Sequence, residues 1–284
     1  MKERTNVIRE RKPAYTQLLD FYQRIHAEQE SARQNLHVPP VDFRTSSKKR
    51  EFQEGFPLLK KEDFPVDIPS SVTLFGRLRE IGRNASEKLR LNVNAIEQAA
   101  ERKALDIPIL IARHFDTAFI DHLSGRAGID SAVLEFLLHM SILPSLQSTA
   151  GQAGDFPDLK NWLKGYCPLC GSLPLISFLK EDGQRFLLCS FCSFSWPSER
   201  LRCPFCENSD HSTLHYFFAE GEEAYRVDIC DKCRKYIKTV DIRKLGYDPD
   251  LNMEDITSAH LDIIAAGQGF ARAVSTPWLP GNSS

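Results

Sequence analysis

The chain has 284 residues, 42% of them apolar, with 36 basic against 38 acidic side chains and a formal net charge of −2. That length supports more than one hydrophobic core, and the near-balance of charge excludes a global field that would draw in nucleic acid or an anionic membrane. The opening Met1-Lys2-Glu3-Arg4 is polar and no apolar run of about 18–20 residues occurs, so neither a signal segment nor a membrane helix is predicted and a cytoplasmic location is expected.

Residues 14–34 carry Tyr15, Leu18, Leu19, Tyr22 and Ile25 at three- and four-residue steps, which predicts an amphipathic helix. Residues 35–69 hold Pro39, Pro40, Gly55, Pro57, Pro65 and Pro69 around the run Lys48-Lys49-Arg50-Glu51. They read as an extended connection whose basic run is a solvated surface rather than a nucleic-acid contact. Helical periodicity returns at Leu74, Leu78 and Ile81, then at Leu89, Val93, Ile96 and Ala100, with Ser86 as an N-cap. Pro108, inside the apolar stretch 105–115, suits the first turn of a new helix. A further helix is expected from Asp130, burying Val133, Leu134, Leu137, Leu138 and Ile142, with Pro144 near its end. The first half is thus expected to be a helical bundle, and 148–158, with Gly151, Gly154 and Pro157, a hinge.

Beyond the hinge lie all eight cysteines, in four Cys-x-x-Cys pairs: Cys167/Cys170, Cys189/Cys192, Cys203/Cys206 and Cys230/Cys233. Short β-prone stretches separate them at 175–179, 185–188, 214–218, 225–229 and 236–240, which predicts small hairpins holding a knuckle at one end. Each knuckle turns both sulfurs to one side, and two knuckles close a tetrahedron around an ion. The connecting loops favour sequential pairing, first knuckle with second and third with fourth. The expectation is two tetrathiolate metal ions per chain, with iron and zinc both compatible with four sulfurs. In a reducing compartment such thiols are ligands or redox centres rather than disulfides. A final helix is expected over 255–266, stopped by Gly267.

Four protein ligands leave no open coordination position, so such a site holds structure or moves an electron rather than activating water. His211 and His215 are surplus to saturated sites, and Gly267-x-Gly269 lacks the strand and third glycine of a dinucleotide fingerprint. No Gly-x-Ser-x-Gly, P-loop or His-Glu-x-x-His occurs, so no enzyme activity is expected. Two other functions compete. A thiol-disulfide or electron-transfer protein would use a Cys-x-x-Cys at a helix start in a βαβ context, unlike these hairpin-rich surroundings. A zinc-ribbon nucleic-acid regulator would need a basic face, yet residues 160–240 hold 11 basic and 10 acidic side chains, and two tetrathiolates would take the balance to about −3. Phe191, Phe194, Trp196, Phe205, Tyr216, Phe217 and Phe218 could stack on bases but are expected to pack the small cores around the ions.

Tyr166-Cys167-Pro168-Leu169-Cys170-Gly171-Ser172-Leu173-Pro174 resembles the opening knuckle of the FdhE family of formate dehydrogenase accessory proteins. The resemblance continues through Leu188–Cys192 with Trp196, Arg202–Asn208, Leu214–Tyr216, Cys230–Cys233 and Tyr236–Lys238. It closes with Asp255-Ile256, Leu261-Asp262, Gly269–Arg272 and Pro277-Trp278-Leu279, covering about 166–280. It implies a cytoplasmic assembly factor that binds the formate dehydrogenase catalytic subunit before export and carries rubredoxin-like centres, with iron the associated ion. Only the first knuckle has glycine after its second cysteine; Ser193, Glu207 and Arg234 stand there in the others, against the left-handed turn of a rubredoxin knuckle. Pro197 also removes a backbone donor between the two ribbons. The combined expectation is an α+β protein: a helical domain over 1–155, a first four-cysteine metal ribbon over 156–200, a second over 201–243, and a C-terminal helix and tail over 244–284. Its partner would be the catalytic subunit, with no nucleic acid and no membrane insertion.

Overall fold

A computed structural model describes residues 13–154 and 156–274; the tail motif Pro277-Trp278-Leu279 lies outside the described residues. Contacts divide the described residues into two compact units, one formed by Asp20–Val41 with Lys60–Gln152, the other by 13–19, Asp42–Leu59 and the described residues from 153 to 274. The segment 42–59 therefore clusters with the cysteine-rich part rather than with the helices that flank it in sequence.

The helices are α1 (Thr16–Arg33), α2 (Ser46–Gln53), α3 (Ile68–Arg83), α4 (Glu87–Glu101), α5 (Ile107–Ala112), α6 (Thr117–Ala127), α7 (Ser131–Gln152), α8 (Leu251–Thr257) and α9 (Ala259–Gly267). Most begin on a side chain that satisfies an orphan N–H of the first turn: Thr45, Asp67, Ser86, Asp106, Asp116 and Asp250 each accept from a backbone N–H two or three residues on. The predicted Ser86 cap and the first-turn place of Pro108 are among these starts. Among the described residues, no helix is long and apolar enough to cross a membrane.

In the helical unit, α3 packs on α4, α5 and α7, and α7 also takes α6 on its surface. Apolar on nearly every side, α7 is buried along most of its length, as such a helix must be. The sequence reading ends it near Pro144, but the helix runs through that proline to Gln152. A proline there has no N–H to give the carbonyl of Met140. The buried amide of Gln29 supplies the missing donor, its Nε2 lying 2.7 Å from Met140 O.

Two further corrections concern the helices. The proline-rich stretch 35–69 is not wholly extended: Thr45 caps α2, which buries Phe52 against Phe156 and Trp162 with ring centroids 5.0 and 4.6 Å apart. The helix expected over 255–266 is two helices broken at Ser258, whose hydroxyl donates to Glu254 O instead of continuing the ladder. The left-handed residue beyond them is Gly269 (φ 80°), not Gly267.

The strands are β1 (Pro174–Leu179), β2 (Arg185–Cys189), β3 (Ser195–Ser198), β4 (Leu214–Phe218), β5 (Tyr225–Cys230), β6 (Lys235–Asp241) and β7 (Ala271–Arg272). They form one sheet in the order β3-β2-β1-β6-β5-β4, with β7 beside the start of β6. Each ribbon contributes an antiparallel trio. A parallel pairing of β1 with β6, Ser177↔Thr239 through Leu179↔Asp241, fuses the trios. The predicted strand positions hold, and β3 is an addition; its Pro197 is tolerated because β3 is an edge strand.

One face of the sheet, with Ile176, Phe178, Tyr225, Val227, Tyr236 and Val240, shares its core with Leu261 and Ala265 of α9 and with Phe270. Lys238 also lies on this face, at the centre of a buried ion cluster. Its ammonium is 3.0 Å from Asp255 Oδ1 and 2.7 Å from Asp262 Oδ2, and Arg272 reaches the same two carboxylates at 2.6 and 2.8 Å.

Candidate metal centres

The sulfurs gather as Cys167, Cys170, Cys189 and Cys192 in one group and Cys203, Cys206, Cys230 and Cys233 in the other, each within 4.8 Å of its group. This is the sequential pairing expected from the loops. Cys167 and Cys170 precede β1, and β2 delivers Cys189 alongside them; likewise Cys203 and Cys206 precede β4, and β5 ends on Cys230. A tetrahedron with ~2.3 Å metal–sulfur bonds has edges of about 3.8 Å. The Sγ of Cys192 lies 3.8 Å from those of both Cys167 and Cys170, with Cys170–Cys189 at 3.3 Å, and Cys203–Cys233 and Cys206–Cys230 both at 3.7 Å. All eight cysteines are free, at separations far beyond the ~2.05 Å of a disulfide. The donor sets therefore fit a thiophilic ion of zinc or iron type.

The knuckles share one backbone form. After each second cysteine stands a left-handed residue: Gly171 at φ 73°, Ser193 at 56°, Glu207 at 58° and Arg234 at 56°. The rubredoxin-like turn survives without glycine in three of the four, at a cost of about 1–2 kcal/mol at each. The N–H of Gly171, Glu207 and Arg234 donates to the carbonyl of the first cysteine of its knuckle at 2.9–3.0 Å. Within the second knuckle, Phe191 N and Cys192 N point at Cys189 Sγ from 3.3 and 3.5 Å.

Electrostatics make these sulfurs a poor place for unaccompanied protons or charges. Hydrogen bonds from Cys167, Cys189 and Cys192 hold the Cys170 thiol far below its usual range, while burial drives Cys167 and Cys192 well above theirs. In the second group burial raises Cys203; at Cys230 burial is outweighed by the N–H groups of Cys233 and Lys232 and the amide of Asn208, which hold it at about 7. A bound cation would resolve both conflicts by stabilising all four thiolates together. The groups differ in access: the first is entirely buried, whereas Cys206 is exposed and Cys233 half-buried.

Several supporting residues carry no sequence signal of their own. Leu58 N and Leu59 N donate to the carbonyls of Pro168 and Leu169 at 2.9 and 2.8 Å, so the segment after α2 braces the first knuckle. Trp196 Nε1 donates to Lys164 O at 2.9 Å, and a Cβ on Gly165 would stand 1.6 Å from Pro204 O, so only glycine permits the first-ribbon approach to the third knuckle. Asn208 Nδ2 reaches Cys230 Sγ at 3.6 Å. Neither His211 nor His215 joins a sulfur group; His215 pairs with Asp231 at 3.1 Å. The aromatic residues divide: Trp196 is fully buried, but Tyr216 and Phe218 on β4 are 59% and 44% exposed, against the expectation that they pack the core.

Residues 166–200 match the model of the FdhE central domain. Over 95% of its length the chain is 27% identical to an FdhE homologue of Aquifex aeolicus, covering 90% of that protein, and over 86% it is 27% identical to FdhE of Salmonella arizonae, covering 76%. FdhE of Escherichia coli is 35% identical across 120 residues, 40% of this chain and 37% of that one. The crystal structure of FdhE from Pseudomonas aeruginosa has the same fold, with a TM-score of 0.71 at 22% identity over 99% of this chain and 95% of that one. In sequence and in fold the chain is similar to FdhE proteins, in line with the resemblance carried by its knuckles.

Proposed function

We propose that this chain is a member of the FdhE family and an accessory protein for formate dehydrogenase, engaging the catalytic subunit in the cytoplasm before export and carrying out no catalysis itself. The observation behind this reading is the pair of closed four-sulfur groups built into one sheet. With Cys167, Cys170, Cys189, Cys192, Cys203, Cys206, Cys230 and Cys233 all spent as ligands, neither ion would keep a position for substrate. Bound iron or zinc would supply cross-linking of each ribbon, and iron in addition a one-electron couple. The protein's own part is then to present a fixed surface, with the loop 55–59, Gly165 and Asn208 holding the knuckles in place.

The reading is tested by tagging the chain in its native host and asking whether the formate dehydrogenase catalytic subunit co-purifies from the cytoplasmic fraction, with enzyme activity measured after deletion. Co-purification with loss of activity on deletion is expected. Full activity in the deletion strain together with no association would refute it.

A further inference from the structure

The two sulfur groups are built alike, and the few places where they differ bear on the ions they would hold. Two residues after the second cysteine of each opening knuckle stand Ser172 and Asn208, whose carbonyls accept the N–H of Cys167 and Cys203, both at 2.9 Å. On the opposite knuckles, Cys189 takes the N–H groups of Phe191 and Cys192, and Cys230 takes those of Lys232 and Cys233. The backbone donors to these corresponding sulfurs are matched.

The side chains are not. Asn208, only 6% exposed, sends Nδ2 across to Cys230 Sγ at 3.6 Å. Its neighbours fix the amide that way round. Oδ1 accepts the Asp210 N–H at 3.2 Å, and the Thr213 hydroxyl, which donates to Asp210 O at 2.9 Å, accepts one Nδ2 hydrogen at 2.7 Å. The other hydrogen is left for the sulfur. Ser172 is too short for the same part, and its hydroxyl makes no bond across to Cys189 or Cys192. Solvent adds a second difference: the first group is buried at all four cysteines, whereas Cys206 is exposed and Cys233 half-buried, beside an open hollow lined by Cys206, Ser209, Asp210 and Lys232.

With a ferrous ion four thiolates carry a net charge of about −2, and with a ferric ion about −1. A hydrogen bond to sulfur and access to water both stabilise the more negative form, while burial penalises it. Both differences therefore act in one direction.

We propose that Asn208 is a positioning residue for the second centre, its Nδ2–H on Cys230 Sγ making that centre the more readily reduced of the two when iron is bound. The change is the transfer of one electron from an external one-electron reductant to the ferric ion, with no bond made or broken and no proton moved. The inference takes iron as the ion, which the four-sulfur sets fit, and does not depend on a formate dehydrogenase partner.

The test is an anaerobic reductive titration of full-length protein loaded with iron at both groups, with dithionite as reductant, redox mediators, and the colour of the ferric centres as readout. Two one-electron steps are expected. Asn208→Ser, which gives the second ribbon the residue of the first, lowers the equilibrium constant of the easier step at least about fivefold, ~40 mV for one electron, and leaves the harder step and the iron content unchanged. Thr213→Ala, which removes the acceptor that aims the amide, shifts the same step in the same direction should Asn208→Ser lose iron. Coincident steps in the unaltered protein, a shift of the harder step, alone or together with the easier, or iron-replete variants with unaltered potentials would overturn the proposal. So would loss of iron from both variants, which would make Asn208 part of the scaffold alone. Association with the catalytic subunit is read separately, so failure here leaves the accessory-protein reading standing, and absence of co-purification leaves the role of Asn208 standing.

Discussion

Replacing Lys238 by Met keeps most of the side-chain length and removes one charge from a cluster that is neutral as built. Lys238 and Arg272 face Asp255 and Asp262 at 2.6–3.0 Å. The Lys238 ammonium also donates to Asp255 O at 2.6 Å, and the Tyr236 hydroxyl to Asp262 Oδ1 at 2.7 Å. Side-chain exposure is 2% for Lys238, 8% for Arg272 and zero for both carboxylates, so solvent screening is slight. Lys238→Met strands one buried negative charge and should cost about 3–5 kcal/mol. Adding Asp262→Asn leaves Arg272 and Asp255 balanced, and should recover more than half of that loss. The measurement is urea unfolding of metal-loaded protein, followed by the fluorescence of the buried Trp162 and Trp196. A cost below about 1 kcal/mol for the single change, or a double variant no better than the single, would refute the claim that this cluster fastens α8, α9 and β7 to β6.

Three other outcomes follow from the same geometry. Gln29→Leu orphans the half-buried Met140 carbonyl and should cost about 1 kcal/mol; Pro144→Ala restores a backbone donor and should rescue it, and absence of rescue in denaturant titration would show that the bond is incidental. The Asp67 carboxylate feels burial as an upward push, but hydrogen bonds from His37 N, Ser70 N and the Ser70 hydroxyl hold it below its usual 3.8. Its contribution is therefore present above pH 3.8 and lost as pH falls through the depressed value. Asp67→Ala should cost about 0.5–2 kcal/mol at neutral pH and flatten the acid limb of a stability–pH curve; an unchanged limb would contradict this. Because Cys206 is exposed and the first group buried, a chelator should strip ions in two phases, with the fast phase missing in Cys206→Ser. A single phase would deny the asymmetry.

Much of this architecture is written locally. The knuckles, the Ser86 cap, Pro108 in its first turn and five of the strands announce themselves through spacing or through residues close in sequence. What stayed hidden depends on distant partners. The β1–β6 pairing joins segments about sixty residues apart, and nothing in either strand specifies the other. Lys238 reads as an ordinary polar strand residue until Asp255, Asp262 and Arg272 are folded beside it. Pro144 looks like a helix end because the donor that replaces its lost N–H belongs to Gln29, more than a hundred residues earlier. The short α2 is masked by surrounding prolines and revealed only by Thr45 and the aromatic contacts of Phe52. Ser193, Glu207 and Arg234 argue against a left-handed turn residue by residue; the hydrogen bonds and sulfur grouping of the knuckle outweigh that preference.

The metal content of anaerobically purified protein, counted by elemental analysis alongside its optical spectrum, bears most directly on the whole account. Two sulfur-bound ions per chain are predicted, coloured if ferric and colourless if zinc, with all eight thiols protected from alkylation until the ions are removed. Metal-free, folded protein whose cysteines alkylate at once, or are joined as disulfides, would contradict it.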